Sequence, residues 1–141
     1  MESGVLLLEL RPASAAVAAG KLTCFGGKRE LGESASQCLL RELEEELGWA
    51  PDIAKPSRAI DLYVNGKLIA FFYELDAPRR DENLHLEAGT GVVWLSAADA
   101  LRDERLSDWH ATVLRAWQQG KRRADFGAYD HAGGLSGACL A

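Results

Sequence analysis

The stretch "RELEEELG", residues 41–48, sets four glutamates into the five positions 42–46 and ends on a glycine. Read as a helix stopping at Gly48, it places its carboxylates at the end where the backbone dipole is negative and where lysine or arginine would be favoured. Like charges three and four residues apart cost about 0.2–0.5 kcal/mol per pair, and each acid in the last turn adds about 0.3–1 kcal/mol against the dipole. Advancing about 100° per residue from Ala35 puts Leu39, Leu40, Leu43 and Leu47 between about 40° and 140°, a core-facing stripe. Glu42, Glu45 and Glu46 fall together between about 280° and 20°, beside that stripe, while Glu44 lands near 180° and points away. A hydrated acidic face is the competing reading, but hydration would be served equally well by mixed charges. A bound cation is the simplest compensating partner, and carboxylate oxygens without a nearby histidine select hard ions, Mg2+ or Mn2+.

The flanks bound this helix. Ser34 followed three residues later by Gln37 is a capping-box pattern, Gly48 supplies the stop, and Pro51 forbids continuation. Upstream, "GGKRELGE", residues 26–33, sets Gly26 and Gly27 directly after a strand-like run, so main chain can approach a phosphate or metal closely. Lys28 and Arg29 follow and are able to meet anionic oxygen, although either residue alone is an ordinary surface charge. Arg41, near 240° on the wheel, neighbours Glu45. Its guanidinium is expected to organise the acids through a bidentate pair with Glu33 or Glu45.

Around this segment lie "GVLLLEL" (4–10) and "KLTCF" (21–25), two strand-length apolar runs. Asn65-Gly66 between "AIDLYV" and "KLIAFFYEL" signals a hairpin with a two-residue turn. A polar loop over 76–91 leads to a strand, "VVWLS" (92–96), then to helical patterns at "AADAL" and over 106–120. In the last of these, Trp109, Val113, Ala116 and Trp117 make one apolar stripe, read as core. The order predicts an α/β fold, a mixed β-sheet sandwiched between helices. One domain is expected over 1–120, with 121–141 a glycine- and alanine-rich tail, partly flexible.

With 48% apolar and 26% charged residues the chain is expected to fold as an ordinary globular domain. A net charge of −5, with one basic run at "GKRR" (120–123), argues against a polymeric nucleic-acid partner. The three cysteines, Cys24, Cys38 and Cys139, show no C-x-x-C spacing and fit a reducing, cytoplasmic setting. No apolar run is long enough to cross a membrane, and the acid in "MESGVLLLELRP" does not suit a signal peptide.

Gly27, five residues, Glu33, seven residues and then "RELEEELGW" resemble the complete Nudix box, G-x5-E-x7-R-E-U-x-E-E-x-G-U, where U is bulky and aliphatic. Gly27, Glu33, Arg41, Glu42, Leu43, Glu45, Glu46 and Gly48 meet the fixed positions, and Trp49 stands at the last one. The resemblance implies hydrolysis of a nucleoside diphosphate linked to another moiety, with Mg2+ or Mn2+ held by Glu42, Glu45, Glu46 and the carbonyl of Gly26. It implies that Glu33 supports that shell and that Arg41 orients it, with Gly27, Lys28 and Arg29 on the substrate side. Glu87 resembles the extra loop acid of MutT-like members and is the candidate proton acceptor, with Glu82 the competitor. The compact chain resembles the nucleoside-triphosphate group, which yields a monophosphate and pyrophosphate. ADP-ribose, nucleotide sugars and dinucleotides are the alternatives, and a nucleotide-sensing module is the non-enzyme reading. The partner implied is a small nucleotide, taken up by a monomer or homodimer. Phe25 stands where proline usually precedes the glycines, and one strand stands before "KLTCF" where relatives have two. Both departures touch the nucleoside side, where Phe25, Tyr63, Phe72, Tyr73 and Trp49 are candidates for an aromatic slot.

Overall fold

A computed structural model describes residues 5–16, 18–51, 56–76, 78–79, 83–86 and 89–127 of the 141. Glu82, Glu87 and Cys139 lie outside the described residues. In chain order the elements are β1 (Val5–Leu10), β2 (Leu22–Thr23), α1 (Ala35–Leu47), β3 (Ser57–Val64) and β4 (Lys67–Glu74). They continue with β5 (Gly91–Ser96), α2 (Ala97–Arg102), α3 (Asp108–Gln118) and β6 (Arg123–Phe126). The α/β architecture expected from the sequence is present. Its strands divide into two three-stranded sheets, ordered β2-β1-β5 and β4-β3-β6. The first is antiparallel throughout; the second is mixed, because β6 runs parallel to β3 while β4 runs antiparallel to it.

Local chemistry accounts for the clearest elements. Asn65 and Gly66 carry φ of 54° and 79°, the doubly left-handed turn that matches strand twist and closes β3 onto β4. α1 begins at a reciprocal capping box, in which Ser34 Oγ accepts from the Gln37 N–H and Gln37 Oε1 accepts from the Ser34 N–H. It ends at Gly48, whose φ of 62° lets its N–H return to the Glu44 carbonyl at 2.9 Å. The Leu47 carbonyl is taken by the His85 N–H at 2.8 Å, so two of the four terminal carbonyls, those of Glu44 and Leu47, have partners. No basic residue stands in its last turn.

Strand alternation then distributes the core. One side of β1 sends Leu8, with Leu6 and Leu10, against Ala100, Leu106, Ala111 and Leu114 of the α2–α3 region. The other side sends Leu7 toward Leu39, Leu43 and Leu47 of α1, together with Phe25. Ile60, Leu62, Val64, Ala70 and Phe72 of the second sheet pack on Trp109, Val113 and Ala116 of α3, the stripe read from the sequence as core, with Trp117 at its edge. α1 therefore covers one side of the sheets while α2 and α3 cover the other. Residues 123–126, which the sequence reading assigns to the tail, add β6 beside β3 in register from Asp61↔Arg123 to Val64↔Phe126. Ala124 is small enough to enter the α3 cluster and is 3% exposed.

β2 pairs with only Glu9 and Leu10 of β1. Val5 to Leu8 instead line a cavity of about 560 Å3 that is also walled by Ile60, Phe72 and Tyr73 of the other sheet. The separation of the sheets leaves this space, and it lies directly beside α1.

Candidate active site

Arg41 gathers the acids of α1 and its leading loop. Its Nε and Nη2 grip Glu33 at 2.7 and 3.2 Å, a bidentate pair, and Nη2 also donates to the Lys28 carbonyl at 3.1 Å. Nη1 reaches Glu42 Oε1 at 3.0 Å and both oxygens of Glu45 at 3.2 Å. Of the two alternatives expected for the bidentate pair, Glu33 takes it, while Glu45 is met by Nη1 alone. The guanidinium holds Glu33 down to about 2, helped by the Glu30 N–H donating at 2.9 Å. Arg41 itself is held firmly in its charged form by the Glu33 bond first.

Glu46 lives in a different field. Its Oε1 accepts from the Gly26 N–H at 3.0 Å, but burial first, and the charge of Glu9 second, push its carboxyl up to about 8. Burial likewise raises Glu42, against the pull of Arg41. Glu44 and Glu45 are both exposed, but only Glu45 turns to Arg41. Leu40, placed on the stripe by the wheel, is half-buried at its margin.

Gly27 passes so close to Glu42 that a Cβ there would collide with the carboxylate. Cys38 Sγ faces the Gly27 carbonyl at 3.6 Å and its thiol is raised to about 11 by burial, so it offers no thiolate to the acids. Lys28 and Arg29 are exposed in the same loop. As they stand, no three of the described histidine, cysteine, aspartate or glutamate side chains close on one point. Glu42 and Glu45 are turned to Arg41 and Glu46 to Gly26, so these contacts must loosen for the three to share an ion. The donor set still suits a hard divalent cation. It is carboxylate oxygen throughout, and the raised Glu46 is a half-buried acid short of positive charge.

Glu9 joins this group without having been marked by the sequence reading. It is 4% exposed, accepts from Thr23 Oγ1 at 3.4 Å and lies 3.5 Å from Arg11 Nη1. Its one sequence signal is an acid on the same side of β1 as Leu7, inside an otherwise apolar run. His110 of α3 is also unmarked by sequence; it is buried on the cavity wall.

The cavity adjoins the acids through Phe25, which lines it and precedes Gly26. Phe72, Tyr73 and Trp49, all candidates for an aromatic slot, line it too. Tyr63 does not: its ring lies under the Arg123 guanidinium at 3.7 Å, on the other face of β3 from Leu62.

The NUDIX domain model matches residues 1–117. The chain is 33% identical over 99 residues to the CTP pyrophosphohydrolase of Escherichia coli (strain K12), covering 70% of this chain and 72% of that protein. Among solved structures, MutT from Methanosarcina mazei Go1 matches with a TM-score of 0.65 at 24% identity, over 84% of this chain and 86% of the other. The E. coli ORF135 protein matches with a TM-score of 0.58 at 30% identity, over 84% and 82%. Box, fold and kinship agree: the chain belongs to the Nudix family and is a hydrolase acting on phosphoanhydride bonds.

Proposed function

We propose that the protein is a divalent-metal-dependent pyrophosphohydrolase that converts a nucleoside triphosphate to the monophosphate and pyrophosphate. The observation that carries this reading is the junction at Phe25–Gly26, where an apolar cavity meets the Arg41-organised acids. A triphosphate laid across that junction has its nucleoside in the cavity and its phosphates over α1. The relative that acts on CTP supports a nucleotide of this class.

Glu42, Glu45 and Glu46, with the Gly26 carbonyl, would hold Mg2+ or Mn2+. When bound, such an ion neutralises phosphate oxygens and lowers the pKa of a coordinated water. Arg41 keeps Glu42 and Glu45 on one side of the helix, while Glu33 fixes Arg41. Lys28 and Arg29, exposed beside Gly27, meet the departing phosphates. In the reaction a water oxygen bonds to phosphorus, the bridging P–O bond breaks, and pyrophosphate leaves with the bond pair. The water proton passes to a carboxylate, for which Glu87 and its competitor Glu82 are the candidates from the sequence. The free Cys24 and Cys38 suit a reducing, cytoplasmic setting, and among the described residues no helix is long and apolar enough to cross a membrane.

A panel of nucleoside triphosphates, ADP-ribose, nucleotide sugars and dinucleotides, each incubated with Mg2+ and resolved by anion exchange, tests this. Monophosphate and pyrophosphate in equal amounts from a triphosphate is the expected result. Orthophosphate as the first product, or turnover restricted to the other classes, would overturn it.

A further inference from the structure

His110 occupies the first turn of α3 and is 6% exposed. Its ring meets Phe72 edge-on, with centroids 5.4 Å apart and planes at 87°. Neither Nδ1 nor Nε2 has a hydrogen-bond partner among the described residues. Burial first, and the charge of Arg11 second, push its pKa down to about 4, so the ring is neutral near pH 7. A histidine kept for packing usually ties one nitrogen to a carbonyl or carboxylate. Here both are left over, which works against folding unless something else takes them up.

The same ring lines the cavity between the sheets, whose volume of about 560 Å3 is in the range of small-ligand pockets. Phe25, Phe72, Tyr73 and Trp94 give that cavity flat aromatic walls. Its wall is continuous through Phe25 with Gly26 and so with Glu46. A group joined to phosphates over α1 therefore enters an aromatic slot lined by the His110 ring, whose two nitrogens are themselves covered in the free protein, so the ring must turn on its side-chain torsions to present one of them to a ligand. A neutral imidazole carries one donor and one acceptor, and with no partner among the described residues fixing its tautomer it can match either kind of atom.

We propose that His110 is a specificity-determining residue, whose imidazole hydrogen-bonds the polar edge of the nucleobase held in this cavity. The inference rests on the nucleotide reading above, and deepens it by placing base selection on α3. It also fixes a sign. A purely structural histidine weakens the fold when replaced. His110→Leu instead removes two unpaired polar atoms, so the free protein keeps or gains stability while base discrimination falls.

The experiment uses the full chain in EDTA, without turnover: calorimetric titration with AMP, GMP, CMP and UMP, and scanning calorimetry of the free protein. The wild type should separate its best and worst base by at least about tenfold, as one or two buried hydrogen bonds allow. His110→Leu, and His110→Phe as the control that keeps a ring against Phe72, should compress that spread to within about threefold with an unchanged or higher Tm. His110→Gln, which restores a donor and an acceptor, should recover discrimination. A wild-type order and spread in His110→Leu and His110→Phe would overturn the proposal, as would a wild type that binds all four alike. A lower Tm in both apolar variants with binding unaltered would mark a structural histidine. Base discrimination without pyrophosphate release would sink the hydrolytic reading and leave this one standing.

Discussion

Glu33 and Glu46 bracket the range that one residue type spans in this site, one held near 2 by a guanidinium and the other lifted toward 8 by burial and Glu9. The acids of α1 and its leading loop are therefore not equivalent, and their replacement should separate them. Glu45→Gln and Glu46→Gln should each cut turnover by at least about 100-fold with the circular dichroism spectrum unchanged, because each would weaken the hold on the divalent cation that offsets charge on the reacting phosphate. Glu44→Gln should be near neutral, since Glu44 is exposed and makes no contact with Arg41; a matching loss there would contradict the division of the helix face. His110 makes a prediction about pH. Its folded pKa is depressed to about 4 from 6.5, so below pH 6.5 the unfolded chain binds a proton that the folded chain refuses. Stability from this group is complete above pH 6.5 and falls by about 1.4 kcal/mol per unit as pH drops toward about 4. Denaturant melts of wild type and His110→Leu between pH 7 and 4.5 should diverge by that slope; parallel curves would mean the ring is protonated in the fold. Arg41 and its partners are legible in the sequence because they lie within one helix and the loop feeding it. Glu9 and His110 are not, because burial of a polar residue on a strand or helix is decided by elements that arrive from elsewhere in the chain.

At the next scale, legibility follows the range of the forces. The capping box of α1, its glycine stop and the Asn-Gly hairpin are written in neighbouring residues, and each stands where the sequence places it. β6 is not, since "RADF" has a weak pattern and gains its place from parallel pairing with β3 across a long crossover. The local signals can be tested one by one. Ser34→Ala removes the acceptor for the Gln37 N–H and should cost about 1 kcal/mol in denaturant melts. Gly48→Ala should cost at least as much, because its φ of 62° strains any Cβ, which would also lie 3.0 Å from the His85 side chain. Gly27 differs from both. There the obstruction is the Glu42 carboxylate, so Gly27→Ala should leave melting almost unchanged and depress turnover, the reverse of the Gly48 result.

Over the whole molecule, the division of the strands into two sheets is what leaves the cavity beside α1. β2 is two residues long and pairs with only the end of β1, so the edge beyond it is left to a cavity rather than to another strand. α1 is anchored to one side by Leu39, Leu43 and Leu47, and α3 to the other by Trp109, Val113 and Ala116, so the wall between acids and cavity depends on both layers. β6 belongs to this frame, because Ala124 closes the cluster that seats α3 against β3. A charge at that point has no partner in the apolar cluster around it, and an unpaired buried carboxylate costs several kcal/mol before any change in packing. Ala124→Asp should therefore lower Tm by ten degrees or more, on the order of 3 kcal/mol for a chain of this size. Arg123→Gln, at an exposed neighbouring position, should be nearly silent by comparison. If Ala124→Asp melts with the wild type, residues 123–126 contribute nothing to the core. The domain would then end near residue 120, and α3 with its His110 would be held by the remaining contacts alone.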